Sequence, residues 1–334
     1  MIIRPGKNNY DKHWDQFCDM QDWSPPEYTI NGQIYQSKIY ETEGKKTVNQ
    51  SFIVEKNNKQ ILAFCGVKFL DKSKSHLTTY RLPCISLENS NEINDESKKE
   101  FINEFEKISK LIKGKIWYRD FLVNGKLSLL SHHLLTKKIK ISLFFTQVIN
   151  LNLEKKFLWN DIRKSYKSLI NWGLREMEFK IFDSNSIDWT TMIHFRNLHI
   201  KVSGRETRTI ESWKKQYEWI KKNNAFVIFS YFKKKLVSAG FFSFSKNNCS
   251  YGISASNREL FSKPIFHAVM WKAIIYSKSI GCKWFDAGEQ IFKNIIPNSQ
   301  FTEKELNISF FKAGFGGKIQ TFLDFTINIL VNEK

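Results

Sequence analysis

The sequence predicts a mixed α/β chain built of two domains. Three observations carry that reading. Residues 249–317 read as a short strand, a long amphipathic helix and a returning strand, a β-α-β unit followed by another helix and a glycine cluster. The two halves of the chain repeat one order of elements: helices, a hairpin, a further strand, a helix and closing strands. The 334 residues are enough for two ordinary domains, each with its own core, and the division falls at 1–155 and 156–334.

In the first half, helices are expected near 10–20 and 34–43, separated by a Pro25-Pro26 break. Residues 51–55 and 60–69 are apolar runs joined by a polar turn of hairpin length at 56–59, and 77–87 adds a third strand. A solvated loop from 89 leads into a helix over 100–112. Strand-like segments follow at 115–123, 127–135 and 139–153.

A basic helix over 156–175 opens the second half. Leu158, Ile162, Tyr166, Leu169 and Gly173 line one face, with Arg163, Lys164 and Lys167 on the other. A short strand at 178–182 and helices over 188–199 and 210–222 precede a hairpin, 225–231 with 236–244, across Lys233, Lys234 and Lys235. The β-α-β unit then places strands at 249–254 and 283–287 around a helix over 264–280. In that helix Phe266, Val269, Met270, Ala273, Ser277 and Ile280 recur at spacings of three and four as one buried stripe. Ser262 and Pro264 mark its start and Gly281 its end. Two strands of one sheet joined by a crossover helix run parallel, and the place where they part is a crevice for a ligand. In the last strand, Leu323, Phe325, Ile327 and Ile329 alternate with Asp324, Thr326 and Asn328.

Lys and Arg number 52 against 33 Asp and Glu, a net charge of +19 that favours polyanions: nucleic acid, phosphorylated small molecules or anionic lipid heads. The charge is spread out, and the accompanying richness in Asn, Ile and Phe is what an AT-rich genome yields whatever the partner. Five scattered cysteines without a CxxC pair indicate neither a disulfide framework nor a zinc site, which fits a reducing cytosol. The first residues lack the apolar core of a signal peptide, and no run is long enough to cross a bilayer. A cytoplasmic location is expected, with peripheral membrane contact through lysines left open.

The segments LWNDIRKSYKSLINWGLRE (158–176), VIFSYFKKKLVSAGFFSFS (227–245), HAVMWKAIIYSKSIGCKWFDAGE (267–289) and FKAGFGGK (311–318) come in the order found in the Fem-type aminoacyltransferases and their acyltransferase relatives. Residues 34–66 are similar to that family's first domain. The resemblance implies two tandem GNAT-like domains with a cleft between them, the first on the acceptor side or degenerate and the second the acyltransferase. It implies transfer of an acyl or aminoacyl group to an amine, with acyl-CoA or aminoacyl-tRNA as donor co-substrate and no permanently bound cofactor. The acceptor would be a peptidoglycan precursor, amino sugar or other envelope intermediate, phosphorylated and nucleotide- or lipid-linked, with tRNA a further partner. Two departures weigh on the donor. The (Arg/Gln)-x-x-Gly-x-(Gly/Ala) loop that cradles the CoA pyrophosphate is missing, the corresponding turn reading SNRELFSKP (256–264), and the long helical arm of the larger Fem proteins is absent.

Lys312 matches the lysine of the family's FKxxFG motif. A fixed ammonium beside a glycine-rich turn can neutralise a donor phosphate or the oxyanion of a tetrahedral intermediate; a lysine at a helix C-terminus is also favoured by the macrodipole. Gly314, Gly316 and Gly317 permit close backbone approach, or simply end the helix. Asp286, at the end of a parallel strand, or Glu289 could accept the proton an attacking ammonium must lose, and Asp286 could equally cap the next turn. His267 is a further candidate base, against the commoner role of a packed helical histidine. Arg205 and Arg208, in SGRETRT (203–209) ahead of a helix start, and Arg258 are candidate phosphate contacts, against plain solvated charge. Tyr251, Ser254 and Phe311 complete the expected substrate-binding set. No metal site is expected: His132 and His133 have no third ligand at metal spacing and, in a strand, would point to opposite faces. The rival function is a basic RNA- or tRNA-binding adaptor on the same fold, against which stands the lack of a recognisable nucleic-acid-binding motif.

Overall fold

A computed structural model describes the chain except for residues 8, 43, 72–73, 79–81, 90–92, 122–126, 138, 294–299 and 330–334. The expected ends of the 34–43 helix and the 115–123 strand, the middle of the 77–87 strand and part of the loop from 89 therefore lie outside the described residues. The chain forms two compact units. One comprises Met1–Asp22, Tyr28–Phe144 and Thr321–Lys334, the other Trp23–Glu27 and Phe145–Gln320.

The first unit contains β1 (Ile2–Ile3), α1 (Tyr10–Met20), α2 (Ile30–Thr42), β2 (Thr47–Asn49), β3 (Phe52–Lys56), β4 (Lys59–Cys65), β5 (Val67–Asp71), β6 (Lys74–Thr78), β7 (Ile85–Glu88), α3 (Asp95–Lys110), β8 (Lys115–Phe121), α4 (Leu129–Leu135) and the start of β9 (Lys140–Asn150). Strands β1-β3-β4-β7 make an antiparallel sheet. The β3–β4 hairpin turns at Asn57 and Asn58, both with positive φ, as a tight hairpin turn requires. Both strands are apolar without alternation because both faces are covered. Phe52 and Phe64 meet Phe101 and Phe105 of α3, while Ile53 and Ala63 pack with Trp14 and Phe17 of α1. An Asn94–Ser97 capping box starts α3.

The second unit holds α5 (Lys155–Asp161), α6 (Lys164–Glu176), β10 (Glu178–Phe182), α7 (Trp189–Ser203), α8 (Ile210–Lys221), β11 (Ala225–Phe232), β12 (Lys235–Phe244), β13 (Asn248–Ser256), α9 (His267–Ser279), β14 (Trp284–Gln290), α10 (Glu303–Ala313) and the start of β15 (Lys318–Asn328). Strands β10 to β13 are successively antiparallel, β13 and β14 are parallel, and β14 pairs antiparallel with β9. Alternate residues serve opposite layers. Phe226, Ile228, Phe242, Cys249 and Phe285 join Ile170 of α6 and Met270 and Ile274 of α9 in one core, while Phe229 and Phe241 meet Phe195 of α7 and Trp219 of α8 on the other face.

Several expectations are corrected. Residues 127–135 contain the helix α4, capped by the Ser128 side chain on Ser131 N; Leu130 and Leu134, four apart, are its buried face. His132 and His133 therefore stand on a helix, and His133 pairs with Glu106. Among the described residues no His/Cys/Asp/Glu group is arranged to hold a metal. The single helix over 156–175 is two, broken where Ile162 turns extended into the core and Arg163 N donates to Gly314 O. The 60–69 strand divides at Gly66, where a Cβ would collide with Cys84 Sγ and the Phe64 ring, so β4 and β5 enter different sheets. Helix α9 begins at His267, not Pro264, and Ile280 is its exposed cap rather than part of the stripe.

The C-terminal part of β15 pairs with β8 in the first unit. There the Asp324 carboxylate takes both arms of the Arg119 guanidinium, Nε at 2.6 Å and NH2 at 2.8 Å, and the guanidinium lies 3.4 Å from the Phe144 ring centre. Both side chains are nearly buried, at 13% and 10% exposure. Removing one partner leaves a buried charge without its counter-ion, so Asp324→Asn should lower unfolding stability by about 3 kcal/mol, read from urea denaturation.

Candidate active site

Strands β13 and β14 start together and then part. The bridged pairs are Asn248 with Trp284, Cys249 with Phe285 and Ser250 with Asp286, yet β13 continues to Ser256 beside β12 and β14 to Gln290 beside β9. Each strand carries an extra residue just beyond the last pair. On β13, Gly252 and Ile253 together stand opposite Phe241; on β14, Ala287 is inserted between the pairs Asp286–Val148 and Gly288–Gln147. A bulge bends its strand and strengthens the local twist, so two at one level turn neighbours apart. Gly288 takes the second bend with a φ of +99°, a conformation open to glycine.

Lys312 reaches that bend from the last turn of α10. A Thr302–Glu305 capping box sets the start of this helix, and Ser309, accepting from Ile291 N and donating to Gln290 Oε1, ties it to the end of β14. The ammonium lies so close over Gly288 that a Cβ there would stand 2.8 Å from Nζ. Burial lowers the Lys312 pKa, against the opposing pull of Asp286 and Glu289. Asp286 is held by Gly288 N at 2.7 Å and by the Thr146 hydroxyl, both donating to Oδ1. Glu289 is exposed. Lys312 of α10 and the Asp286 and Glu289 carboxylates of β14 thus form one cluster at the parting of the strands.

His267 stands in an aromatic setting, its ring 4.6 Å from Tyr166 and 5.1 Å from Phe311 between centres. Burial pushes its pKa down to about 4, so the imidazole is neutral at pH 7 and a weak base. Gly314 lies under Tyr166, where any Cβ would overlap the ring. Gly316 and Gly317, with φ of +83° and +85°, turn the chain so that Gly316 O accepts from Gln147 at 2.7 Å and Gly317 N donates to Asp161 at 2.6 Å. The glycine cluster therefore both closes α10 and packs against β9, α5 and α6. Tyr251 and Ser254 share a 2.6 Å hydroxyl contact on the separated length of β13, where burial raises the phenol to about 12. Arg205 and Arg208 lie instead on the turn between α7 and α8, the first exposed and the second beside His199, and Arg258 is exposed in a 3-10 turn after β13. All five cysteines are buried and outside any disulfide, with the thiols of Cys65 and Cys282 pushed up to about 12 and those of Cys84 and Cys249 raised, so none of these four offers a ready thiolate.

One carboxylate at this place has no sequence motif. Glu27 follows Pro25-Pro26, read from sequence only as a break between helices. Burial, more than the neighbouring Asp286 charge, raises its pKa to about 7, against a hydrogen bond with Ser250. Only an acidic residue wedged between prolines and a tyrosine marked it in the sequence, and nothing in that pattern names its neighbours.

No family model and no curated protein matches this sequence. Solved structures match its fold along nearly the whole chain. FemX superposes with a TM-score of 0.72 at 11% identity, covering 100% of this chain and 98% of its own. The C-terminal domain of an Agrobacterium fabrum protein described as a lysylphosphatidylglycerol synthetase gives 0.60 at 9% identity, covering 97% and 93%. A tandem GNAT protein from the clavulanic acid biosynthesis pathway gives 0.53 at 8% identity, covering 100% and 99%. The fold is that of these proteins: two tandem GNAT-like domains in one chain.

The raised Glu27 pKa has a consequence for stability. Between about pH 4.5 and about pH 7 the folded protein holds a proton on Glu27 that the unfolded chain has lost, so this group makes stability fall as pH rises through that window. Glu27→Gln does not titrate. Its stability relative to the parent should rise by about 1–3 kcal/mol between about pH 5 and about pH 8, measured by urea unfolding at the two values.

Proposed function

We propose that this protein is an acyltransferase that moves an acyl or aminoacyl group from an activated ester or thioester to an amine. The observation that carries the reading is the Lys312 ammonium seated on Gly288 where β13 and β14 separate, with Asp286 and Glu289 beside it. The tandem GNAT fold shared with FemX and the clavulanic acid pathway protein supports it.

In this reading the backbone groups freed by the parting of β13 and β14 hold the donor along the crevice. Attack of the amine nitrogen makes a tetrahedral intermediate, whose oxyanion Lys312 meets as a fixed positive charge in a poorly solvated place. Tyr251 and Ser254 on β13 and Phe311 beside Lys312 line the substrate. Asp286 keeps the ammonium company and belongs to the set that receives the amine's proton. The nucleophile is the acceptor itself, so no covalent enzyme intermediate is required. The donor is acyl-CoA or aminoacyl-tRNA. The acceptor is an amine of a cell-envelope precursor or amino sugar, with the excess of lysine favouring a phosphorylated one.

The test is incubation with labelled acyl-CoA or charged tRNA and a panel of amino-sugar nucleotides and peptidoglycan precursors, scored by mass increase. Lys312→Ala should lower transfer about 100- to 1,000-fold with its melting temperature close to that of the parent. An unchanged rate would refute the assigned role. Single Cys→Ser replacements at Cys18, Cys65, Cys84, Cys249 and Cys282 should leave turnover within about threefold in the same assay, because the route uses no thiolate.

A further inference from the structure

Residues 23–27 lie lengthwise on one face of the parallel pair. Cys249 and Phe285 point into the core with α9, so their neighbours Asn248, Ser250, Trp284 and Asp286 face the other way. Along that face the Trp23 ring is 6.3 Å from the Trp284 ring, and Ser24 N donates to Asn248 Oδ1 at 2.8 Å. Ser245 Oγ donates to Ser24 O at 2.7 Å. Three residues on, Glu27 reaches Ser250 and the neighbourhood of Asp286. Pro25 and Pro26 bridge the interval without an amide hydrogen to satisfy, and Pro26 opens a single 3-10 turn, Pro26–Tyr28, that carries Glu27. The segment thus delivers one carboxyl to the last bridged pair before the strands part.

We propose that Glu27 is the proton acceptor of the site, acting as one half of a carboxylate pair whose other half is Asp286. The inference rests on the transferase reading above and names the base that the reading leaves among several. The two carboxyls have different surroundings. Asp286 Oδ1 already accepts from Gly288 N and Thr146, an arrangement that suits a standing negative charge. Glu27 is half-buried beside that charge, and partial desolvation together with a neighbouring negative charge raises a carboxylate's affinity for a proton. Glu289 is exposed and His267 is a weak base, so neither competes.

The step balances as follows. The acceptor's ammonium gives one proton to the Glu27 carboxylate, and the nitrogen lone pair forms a bond to the acyl carbon. The intermediate collapses by breaking the carbon–oxygen or carbon–sulfur bond to the donor, whose leaving group takes the second proton of the nitrogen. Glu27 then returns its proton to solvent. Among the described residues Asp286 of β14 and Cys249 of β13 interact with Glu27, and Lys312 of α10 interacts with Asp286. The thiol stays protonated, so the cation and the two carboxyls set the pH response.

Two measurements test this. Carbon-13 NMR of protein labelled at glutamate carboxyls, with the Glu27 signal assigned by its loss in Glu27→Gln, should show a titration near pH 7 that moves down in Asp286→Asn. An ordinary carboxylate midpoint overturns the pair whether or not a substrate is known. With a donor and acceptor that the parent protein uses, kcat/KM should have an acidic limb near pH 7. Glu27→Gln should lose that limb and about 100-fold in rate, and Glu27→Asp should keep a limb at lower pH. A Glu27→Gln protein with the parental limb and a rate within about threefold overturns the proposal while leaving the transferase intact. Failure of the parent to transfer from any donor overturns the transferase reading and, with it, the reaction this base would serve.

Discussion

The arrangement depends on the point where β13 and β14 stop pairing. Three bridged pairs bind the strands, and then a bulge on each, Gly252-Ile253 against Phe241 and Ala287 between Asp286 and Gly288, turns them away from each other. Each strand keeps its outer partner, β12 for one and β9 for the other, so the sheet is not disrupted where it opens. The inner backbone groups lose their ladder partners and must be satisfied by something else. In the proposed function this opening is where the donor lies.

Electrostatics at the opening is set by a few groups against the grain of the whole chain. The +19 charge resides on many lysines, yet at the parting of the strands one ammonium faces Asp286 and Glu289, with Glu27 a further carboxyl beside Asp286. Burial works on both signs, lowering the proton affinity of Lys312 and raising that of Glu27. The Asp286 charge opposes the shift at Lys312 and adds to the shift at Glu27. Gly288 is the shared seat: its missing side chain admits the ammonium, and its amide holds Asp286.

Much of this was legible in local pattern. The 3.6-residue and two-residue periodicities located α1, α7, α8, the β11–β12 hairpin and the β-α-β unit, since an element that buries one face must repeat its apolar residues at its own period. The pattern failed where burial is not one-sided. Apolar residues around Leu130 and Leu134 suit a strand as well as a short helix, and only the Ser128 cap decides. Ile162 fits the helical stripe but is pulled into the core in extended form, because the chain must turn there to meet Gly314.

From the sequence alone came the mixed α/β class, the parallel pair around a crossover helix and the candidates Asp286 and Glu289 at the end of its second strand, because periodicity is a property of neighbours along the chain; the candidate Lys312 came from the resemblance of its FKAGFG segment to a family motif. Tertiary structure alone decided that the strands separate at Ser250 and Asp286, that Gly288 seats the ammonium, and that Glu27 lies beside Asp286. Those facts join residues more than two hundred positions apart, or depend on the surrounding burial and bulge register, and no local pattern encodes a contact whose partner lies in another element.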